Sequence, residues 1–182
     1  MNLVSNLFTI TAYLKICCAK YSTPQHRITS ITQFFCTALL PSFVYEKVRR
    51  WTSKIDFGPS IQLALVPIHL HSCAHWILGV IVPLQRTVYL LDSLSMGKPR
   101  EARLLAAYMR REMEARHEDG RSWKIEIWNR PLPQQNNGFD CGVYVCEFAR
   151  RIAAGEKVHD PIDPRAVRNR ILKELTQPRS IK

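Results

Sequence analysis

One cysteine, Cys141, stands where a polar loop changes into an apolar helix. The loop at 133–140 is rich in Pro, Asn and Gly, and apolar residues recur at helical spacing after Cys141. A helix N-terminus has unpaired backbone N–H groups and the positive end of the helix dipole, so a thiolate there is stabilised. Cys141 is therefore a candidate nucleophile. The same pattern fits a buried structural cysteine, because free cysteines are among the most buried residues.

A nucleophilic thiol needs a base, a group that orients the base, and donors for an oxyanion. His75 begins a predicted strand and is the candidate base, and Asp92 ends the next strand and is the candidate orienting group. Gln135 lies in the loop before Cys141, where its amide and the Cys141 backbone N–H are candidate oxyanion donors.

Each of these residues also has an ordinary structural interpretation. His69 and His71 compete with His75 for the role of base. Asp92 fits the start of a turn equally well, and Gln135 is one of several polar residues in its loop. The residue types alone leave these alternatives open.

The strand that begins at His75 and the strand that ends at Asp92 are separated by four residues, 83–86, which predicts a hairpin. If Val82 pairs with Thr87, His75 and Asp92 share a face as diagonal neighbours. Such positions lie roughly 7–8 Å apart, within reach of long side chains. A different loop register would place the two residues on opposite faces.

The hydrophobic pattern over the whole chain predicts an α+β fold, with helices packed around a central sheet. Cys146 is predicted to pack in the core, and residues 21–27 are predicted to form a loop. The predicted strands are 63–68, 75–82, 87–92 and 124–128, and the predicted helices are 3–18, 30–40, 42–51, 100–118, 141–154 and a last one from Pro164.

The charge balance indicates an acidic partner. Lys and Arg number 26 against 15 Asp and Glu, for a net charge of +11. The basic residues are spread along the chain without a long basic tract, which makes a nucleic-acid partner the less favoured interpretation. A generally solvated basic surface is the alternative to any specific partner.

The six cysteines contain no CxxC pair, and no histidine cluster has zinc spacing, so we expect reduced thiols and neither a metal nor a cofactor. This favours the nucleus or the cytoplasm as the compartment. No apolar run reaches the roughly 18 residues that a membrane span needs. The length predicts a single domain over 1–182, with a frayed tail at 177–182.

An ordered set of motifs over about 31–151 resembles the Ulp-type, or sentrin-specific, family of SUMO proteases. Each motif is weak alone, whereas the ordered set is specific. The motifs are Phe34-Phe35, Val48-Arg49-Arg50-Trp51, Val66-Pro67-Ile68-His69, His75-Trp76, Leu91-Asp92-Ser93-Leu94, and the loop from Pro133 to Gly142 with Gln135 and Cys141.

The resemblance implies a papain-like, Ulp-type fold with a central mixed sheet flanked by helices. It implies that the protein cleaves after the C-terminal Gly-Gly of SUMO by acyl transfer, either maturing the precursor or releasing it from target lysines. The implied partners are an acidic SUMO-like modifier and its conjugates, and we expect a monomer. The implied roles are nucleophile for Cys141, general base for His75, orienting group for Asp92, oxyanion donor for Gln135, lid over the Gly-Gly tail for Trp76, and substrate contacts for Gly138 and Asp140.

One departure concerns the segment 1–30. The family begins with a Trp-Leu-Asn-Asp motif, where this chain has Val4-Ser5-Asn6-Leu7, so this segment is predicted to be diverged or truncated. Two alternatives therefore stay open: the same fold acting on another ubiquitin-like modifier, including a viral-type protease with Gly-Gly preference, or a catalytically weak module that binds the modifier.

Overall fold

A five-stranded mixed sheet forms the centre of the structure, with the strands in sequence order. A computed structural model describes residues 7–39, 43–55, 57, 60–96, 99–116, 122–127 and 131–177. The two outer strand pairs are parallel and the two inner pairs antiparallel. The strands are β1 (Arg27–Ser30), β2 (Ile61–Leu70), β3 (His75–Val82), β4 (Thr87–Leu91) and β5 (Lys124–Ile127).

Helices cover both faces of this sheet. Their bounds are α1 (Leu7–Tyr21), α2 (Gln33–Leu39), α3 (Tyr45–Val48), α4 (Pro99–Ala115), α5 (Cys141–Ala154) and α6 (Pro164–Thr176). One apolar cluster joins α1, α5 and α6 to the sheet, and a second joins α2, α3 and α4 to it. The predicted arrangement, a central mixed sheet flanked by helices, is confirmed.

Strand β3 lies at the middle of the sheet and is buried on both faces. Leu78 and Val80 belong to the cluster with α5, whereas Ile77 and Ile81 belong to the cluster with α4, as the two-residue period of a strand requires. A Cβ atom on Gly79 would lie 2.9 Å from Leu105 Cδ1. The absence of a side chain at Gly79 therefore lets α4 lie close against the sheet.

The hairpin between β3 and β4 has the predicted register. Val82 pairs with Thr87, and Leu78 pairs with Leu91. The connection is a 3₁₀ turn, Pro83–Gln85, followed by Arg86 in the left-handed region at φ 48°. This register places the beginning of β3 and the end of β4 at the same edge of the sheet.

The sequence pattern missed β1 and overextended some helices. Arg27–Ser30 contains one buried apolar residue, Ile28, and pairs in parallel with the distant β2, so nothing in its local pattern indicates a strand. The helix predicted over 42–51 is α3 followed by the 3₁₀ turn Arg49–Trp51. The predictions for residues 1–6, 40, 42, 117–118, 128 and 178–182 fall outside the described residues.

Across the described part of the chain, every helix is too short or too polar to cross a membrane.

Candidate active site

His75 and Asp92 meet at the edge of the sheet where β3 begins and β4 ends. His75 Nε2 lies 2.7 Å from Asp92 Oδ1. The Asp92 carboxylate also accepts backbone N–H bonds from Leu94 to Oδ1 and from Met96 to Oδ2, both at 2.9 Å. The turn after β4 thus holds the carboxylate, and the carboxylate holds one nitrogen of the imidazole.

The two competing histidines lie together, apart from this pair. His69 Nδ1 and His71 Nδ1 are 3.2 Å apart, with His69 half-buried and His71 exposed. Burial and repulsion from His71 and His75 lower the pKa of His69. Of the three candidate bases, His75 is therefore the histidine that contacts Asp92.

Cys141 is the first residue of α5 and is 4% exposed. The helix begins here because the Asp140 carbonyl accepts N–H bonds from Val143 at 2.8 Å and Tyr144 at 3.1 Å. The His75 side chain and the backbone N–H groups of Trp76 and Gly142 interact with the Cys141 thiol. Since Asp92 holds Nε2, the imidazole presents its Nδ1 to the thiol.

These contacts shift the two pKa values in opposite directions. Burial opposes ionisation of Cys141, but hydrogen bonds with His75 and backbone N–H groups outweigh it, so the pKa of the thiol is lowered from 9.0. Burial also opposes protonation of His75, but its hydrogen bonds with Asp92 and Cys141 raise its pKa to about 9. The pair therefore favours a thiolate beside an imidazolium.

The pKa of the Asp92 carboxyl group is lowered as well. Burial works against its ionisation, but the hydrogen bond from His75 and the backbone N–H groups of Leu94 and Met96 lower its pKa. At neutral pH Asp92 is therefore a carboxylate beside a protonated His75, and the geometry can carry out acid–base chemistry at a thiol.

The six cysteines are all free, and their reduced state stays a prediction. Burial raises the pKa of Cys146 well above 9.0, and burial raises that of Cys17 to about 12. Within the described residues, no group of three or more His, Cys, Asp or Glu is arranged to hold a metal ion.

Gln135 is buried and held at both ends of its amide. Ser93 Oγ donates to Gln135 Oε1 at 2.6 Å, and Gln135 Nε2 donates to the carbonyl of Asn137 at 2.6 Å. The Gln135 backbone N–H also donates to the Ser93 carbonyl at 3.0 Å. An amide nitrogen has two hydrogens, so one remains for the oxyanion role that the sequence predicts.

The loop between Gln135 and Cys141 is built around Asn137. Asn137 Oδ1 accepts backbone N–H bonds from Phe139 at 3.1 Å and from Asp140 at 3.0 Å. Gly138, between Asn137 and Phe139, is exposed, and a Cβ atom added there would meet nothing within 4 Å. Gly138 is thus open to solvent, and its contact with a substrate stays a prediction.

The Asp140 side chain does not face solvent. The residue is 3% exposed, Oδ2 accepts from Asn137 Nδ2 at 2.8 Å, and Oδ1 accepts from Arg168. Both carboxylate oxygens are therefore engaged inside the protein. In this placement Asp140 is part of the loop structure, and its contact with a substrate stays a prediction.

Trp76 pairs directly with His69 across β2 and β3, and the two ring centroids are 4.6 Å apart. The indole is buried in the apolar cluster that also contains Cys141. Trp76 therefore lies beside the thiol, and its role as a lid over a substrate tail stays a prediction.

Sequence reasoning missed three residues that hold the site together: Ser93, Asn137 and Arg168. Ser93 lies in the motif Leu91-Asp92-Ser93-Leu94, and Asn137 lies in the loop from Pro133 to Gly142. Arg168 lies on α6, and in the sequence it cannot be distinguished from a solvent-exposed arginine on an amphipathic helix.

The family model for the Ulp1 protease family, C-terminal catalytic domain, matches residues 9–174. The chain belongs to this family. Its predicted Ulp-type fold and its assignment to the family are thereby confirmed, and it is a cysteine-protease domain of the Ulp1 type.

Curated relatives include the ubiquitin-like-specific protease ESD4 of Arabidopsis thaliana, 33% identical over 108 residues, which are 57% of this chain and 22% of that protein. A sentrin-specific protease of Caenorhabditis elegans is 30% identical over 144 residues, which are 76% of this chain and 20% of that protein. The chain thus spans about a fifth of the length of these relatives.

Solved structures of the Ulp1 family have the same fold. SUMO protease Ulp1 with its catalytic cysteine oxidised to a sulfonic acid is 27% identical, with a TM-score of 0.75 over 93% of this chain and 76% of the other. The C-terminal Ulp1 protease domain in complex with Smt3, the yeast ortholog of SUMO, is 27% identical, with a TM-score of 0.73 over 93% of this chain and 75% of the other.

Proposed function

We propose that this protein is a SUMO-specific cysteine protease that cleaves after the C-terminal Gly-Gly of the modifier. The observation that carries the proposal is His75, whose side chain contacts the Asp92 carboxylate at 2.7 Å and whose interaction with Cys141 lowers the pKa of that thiol. This is the arrangement of nucleophile, base and orienting group that acyl transfer requires.

In the first half of the reaction, the Cys141 thiolate attacks the carbonyl carbon of the terminal glycine. A sulfur–carbon bond forms, and the carbonyl oxygen becomes an oxyanion that the Gln135 amide and the Cys141 backbone N–H stabilise. The carbon–nitrogen bond then breaks as the His75 imidazolium gives its proton to the leaving amine. That amine is the lysine side chain of a conjugate or the backbone nitrogen of a precursor.

In the second half, His75 removes a proton from water, and the resulting hydroxide attacks the thioester carbon. The carbon–sulfur bond breaks and Cys141 leaves as a thiolate beside the imidazolium. The modifier is released with a free terminal carboxylate, and the site returns to its starting state.

The burial of the reacting groups supports the preference for glycine. Cys141 is 4% exposed and His75 is 2% exposed, and the Trp76 indole packs in the same cluster as Cys141. A chain without side chains can reach a thiol that is so enclosed, whereas larger residues next to the scissile bond would collide with its surroundings.

The charge of the chain supports an acidic partner. The net charge of +11 favours association with an acidic modifier through long-range attraction. A related Ulp1 domain has been solved in complex with Smt3. We propose that a SUMO-like modifier and its conjugates are also the partners of the present chain. We further propose that the chain is a monomer with a single domain over 1–182 and that it is located in the nucleus or the cytoplasm.

The test is reaction with a panel of modifiers that carry an electrophile in place of the C-terminal carboxylate. We expect a covalent adduct with the SUMO probe at Cys141, no adduct in Cys141→Ser, and normal labelling in the matched variant Cys146→Ala. Labelling by a different ubiquitin-like probe alone would overturn the choice of modifier. Binding of SUMO without any adduct would instead favour the non-catalytic binding module.

A further inference from the structure

The last helix of the domain reaches the loop that precedes the nucleophile. Arg168 on α6 donates from Nη2 to Asp140 Oδ1, and its Nη1 lies 3.5 Å from the Pro164 carbonyl of its own helix. The Asp140 side chain is 5% exposed and that of Arg168 is 28% exposed. A partly accessible guanidinium thus pairs with a buried carboxylate next to Cys141.

From Asp140 the contacts continue to the proposed oxyanion donor. Asn137 donates from Nδ2 to Asp140 Oδ2 at 2.8 Å, and Asn137 Oδ1 accepts the backbone N–H groups of Phe139 and Asp140. The Asn137 carbonyl then accepts from Gln135 Nε2 at 2.6 Å. A continuous series of hydrogen bonds therefore joins Arg168 to the Gln135 amide.

The pairing also satisfies a buried charge beside the nucleophile. A buried carboxylate without a cationic partner is unfavourable, and Asp140 immediately precedes the cysteine that must itself become an anion. Arg168 balances the charge of Asp140, so the loop can keep its packed conformation while the thiolate forms.

Helix α6 is a firm support for this contact. Val167 and Ile171 are buried in the same apolar cluster as Cys141, and the Asp163 side chain caps the helix N-terminus by accepting from the backbone of Arg165 and Ala166. A functional group held by a packed element keeps its geometry better than one held by a loop.

We propose that Arg168 is a positioning residue for the reaction. It holds Asp140, and through Asn137 it fixes the Gln135 amide where the oxyanion forms, without touching the reacting atoms. This inference rests on the proposed cysteine-protease activity and adds a part of the site that lies outside the loop and the hairpin.

The test compares Arg168→Gln with Arg165→Gln, which removes the same charge from an exposed position on the same helix. With a SUMO substrate carrying a C-terminal reporter, and with rates normalised to titrated active sites, we expect Arg168→Gln to lower kcat by about tenfold to a hundredfold, since small displacements of catalytic groups have such effects. We expect KM to change by less than about twofold on the same grounds, Arg165→Gln to match the wild type, and Arg168→Lys to restore part of kcat.

A double variant separates this contact from a general loss of stability. In Asp140→Asn with Arg168→Gln, the unpaired charge is gone, so this variant is expected to fold and to show no lower kcat than the worse single variant. Additive losses, or a rise in KM with kcat unchanged, would overturn the inference.

A second measurement does not depend on the substrate. Hydrogen exchange at the backbone amides of Phe139 and Asp140, which donate to Asn137, is expected to become faster in Arg168→Gln and to stay unchanged in Arg165→Gln. Equal exchange in both variants contradicts the positioning role. If the wild type cleaves no modifier while the exchange responds as expected, the proposed function fails and the structural role of Arg168 stands.

Discussion

The first and second turns of α5 each contain a buried cysteine, yet the two thiols have opposite properties. Cys141 is 4% exposed and Cys146 is 0% exposed. The pKa of Cys141 is lowered, whereas burial raises that of Cys146 well above 9.0, and the nearby Cys17 and Glu147 add to this effect. Burial alone therefore makes a thiol inert.

The difference comes from the partners of the two sulfur atoms. Cys141 begins the helix, where the His75 imidazole and the backbone N–H groups of Trp76 and Gly142 stabilise its thiolate. Cys146 belongs to the same apolar cluster as Cys141, but there burial and the neighbouring Cys17 and Glu147 outweigh the opposing effect of Arg170. An activated thiol thus requires an imidazole and a helix start together.

The largest expected effect follows from changing the two cysteines themselves. Cys141→Ser is expected to lower turnover of the SUMO substrate at least about 10⁴-fold, because a hydroxyl does not ionise beside an imidazole as a thiol does. Cys146→Ala is expected to retain kcat and to lose about 1 kcal/mol of stability through the small cavity that it creates. Measured kcat and unfolding free energies of the two variants provide the test. Comparable kcat losses in both would contradict the assignment.

Removal of the imidazole should have the next largest effect. His75→Gln is expected to lower kcat by about 10²–10⁴-fold, the usual contribution of a general acid–base group. His71→Gln serves as the matched control, because its ring is exposed and pairs with His69. If steady-state kinetics show equal losses in the two variants, the base is not His75.

A smaller loss is expected when the predicted oxyanion donor is removed. Gln135→Ala should lower kcat by about 10²–10³-fold, the usual effect of one oxyanion donor, while alkylation of Cys141 by a small electrophile should remain. Asn136→Ala, a change at an exposed neighbour in the same loop, should leave kcat within about twofold of the wild type because it removes no such donor. Loss of alkylation together with turnover would show that Gln135 supports the loop and not the oxyanion.

The smallest effect at optimal pH is expected for Asp92→Asn, which can still accept a hydrogen bond from His75, as asparagine does in other cysteine proteases. The carboxylate is one of the groups that raise the pKa of His75 to about 9. The wild type needs a protonated His75 and should lose activity as the pH rises through that value. Without the carboxylate the pKa of His75 falls, so the high-pH loss should begin at lower pH. A pH profile of kcat/KM in which this limb does not move would contradict the coupling.

The local sequence pattern was sufficient to predict those elements whose structure depends mainly on their own residues. β3 and α5 have the predicted bounds, and the short connection at 83–86 determined the register that brings His75 to Asp92. β1 could not be predicted in this way, because a four-residue strand that pairs in parallel depends on a partner far away in the chain.

The local sequence pattern also could not predict the polar contacts that support the site. Ser93 reaches Gln135 across 42 positions and Arg168 reaches Asp140 across 28. Each is a polar residue of an ordinary kind, and only the packing of the hairpin, the loop and α6 selects its partner. The same packing turns the Asp140 carboxylate inward, toward Asn137 and Arg168.

The most direct test of the central claim is the rate of alkylation of each cysteine as a function of pH, followed by mass spectrometry of the folded protein. We predict that Cys141 reacts at pH values below 9.0, the ordinary pKa of a thiol, and that Cys146 stays unmodified over the same range. In His75→Gln, the onset of Cys141 alkylation should move toward 9.0. An onset for Cys141 at or above 9.0 in the wild type would contradict the claim that His75 and the start of α5 activate this thiol.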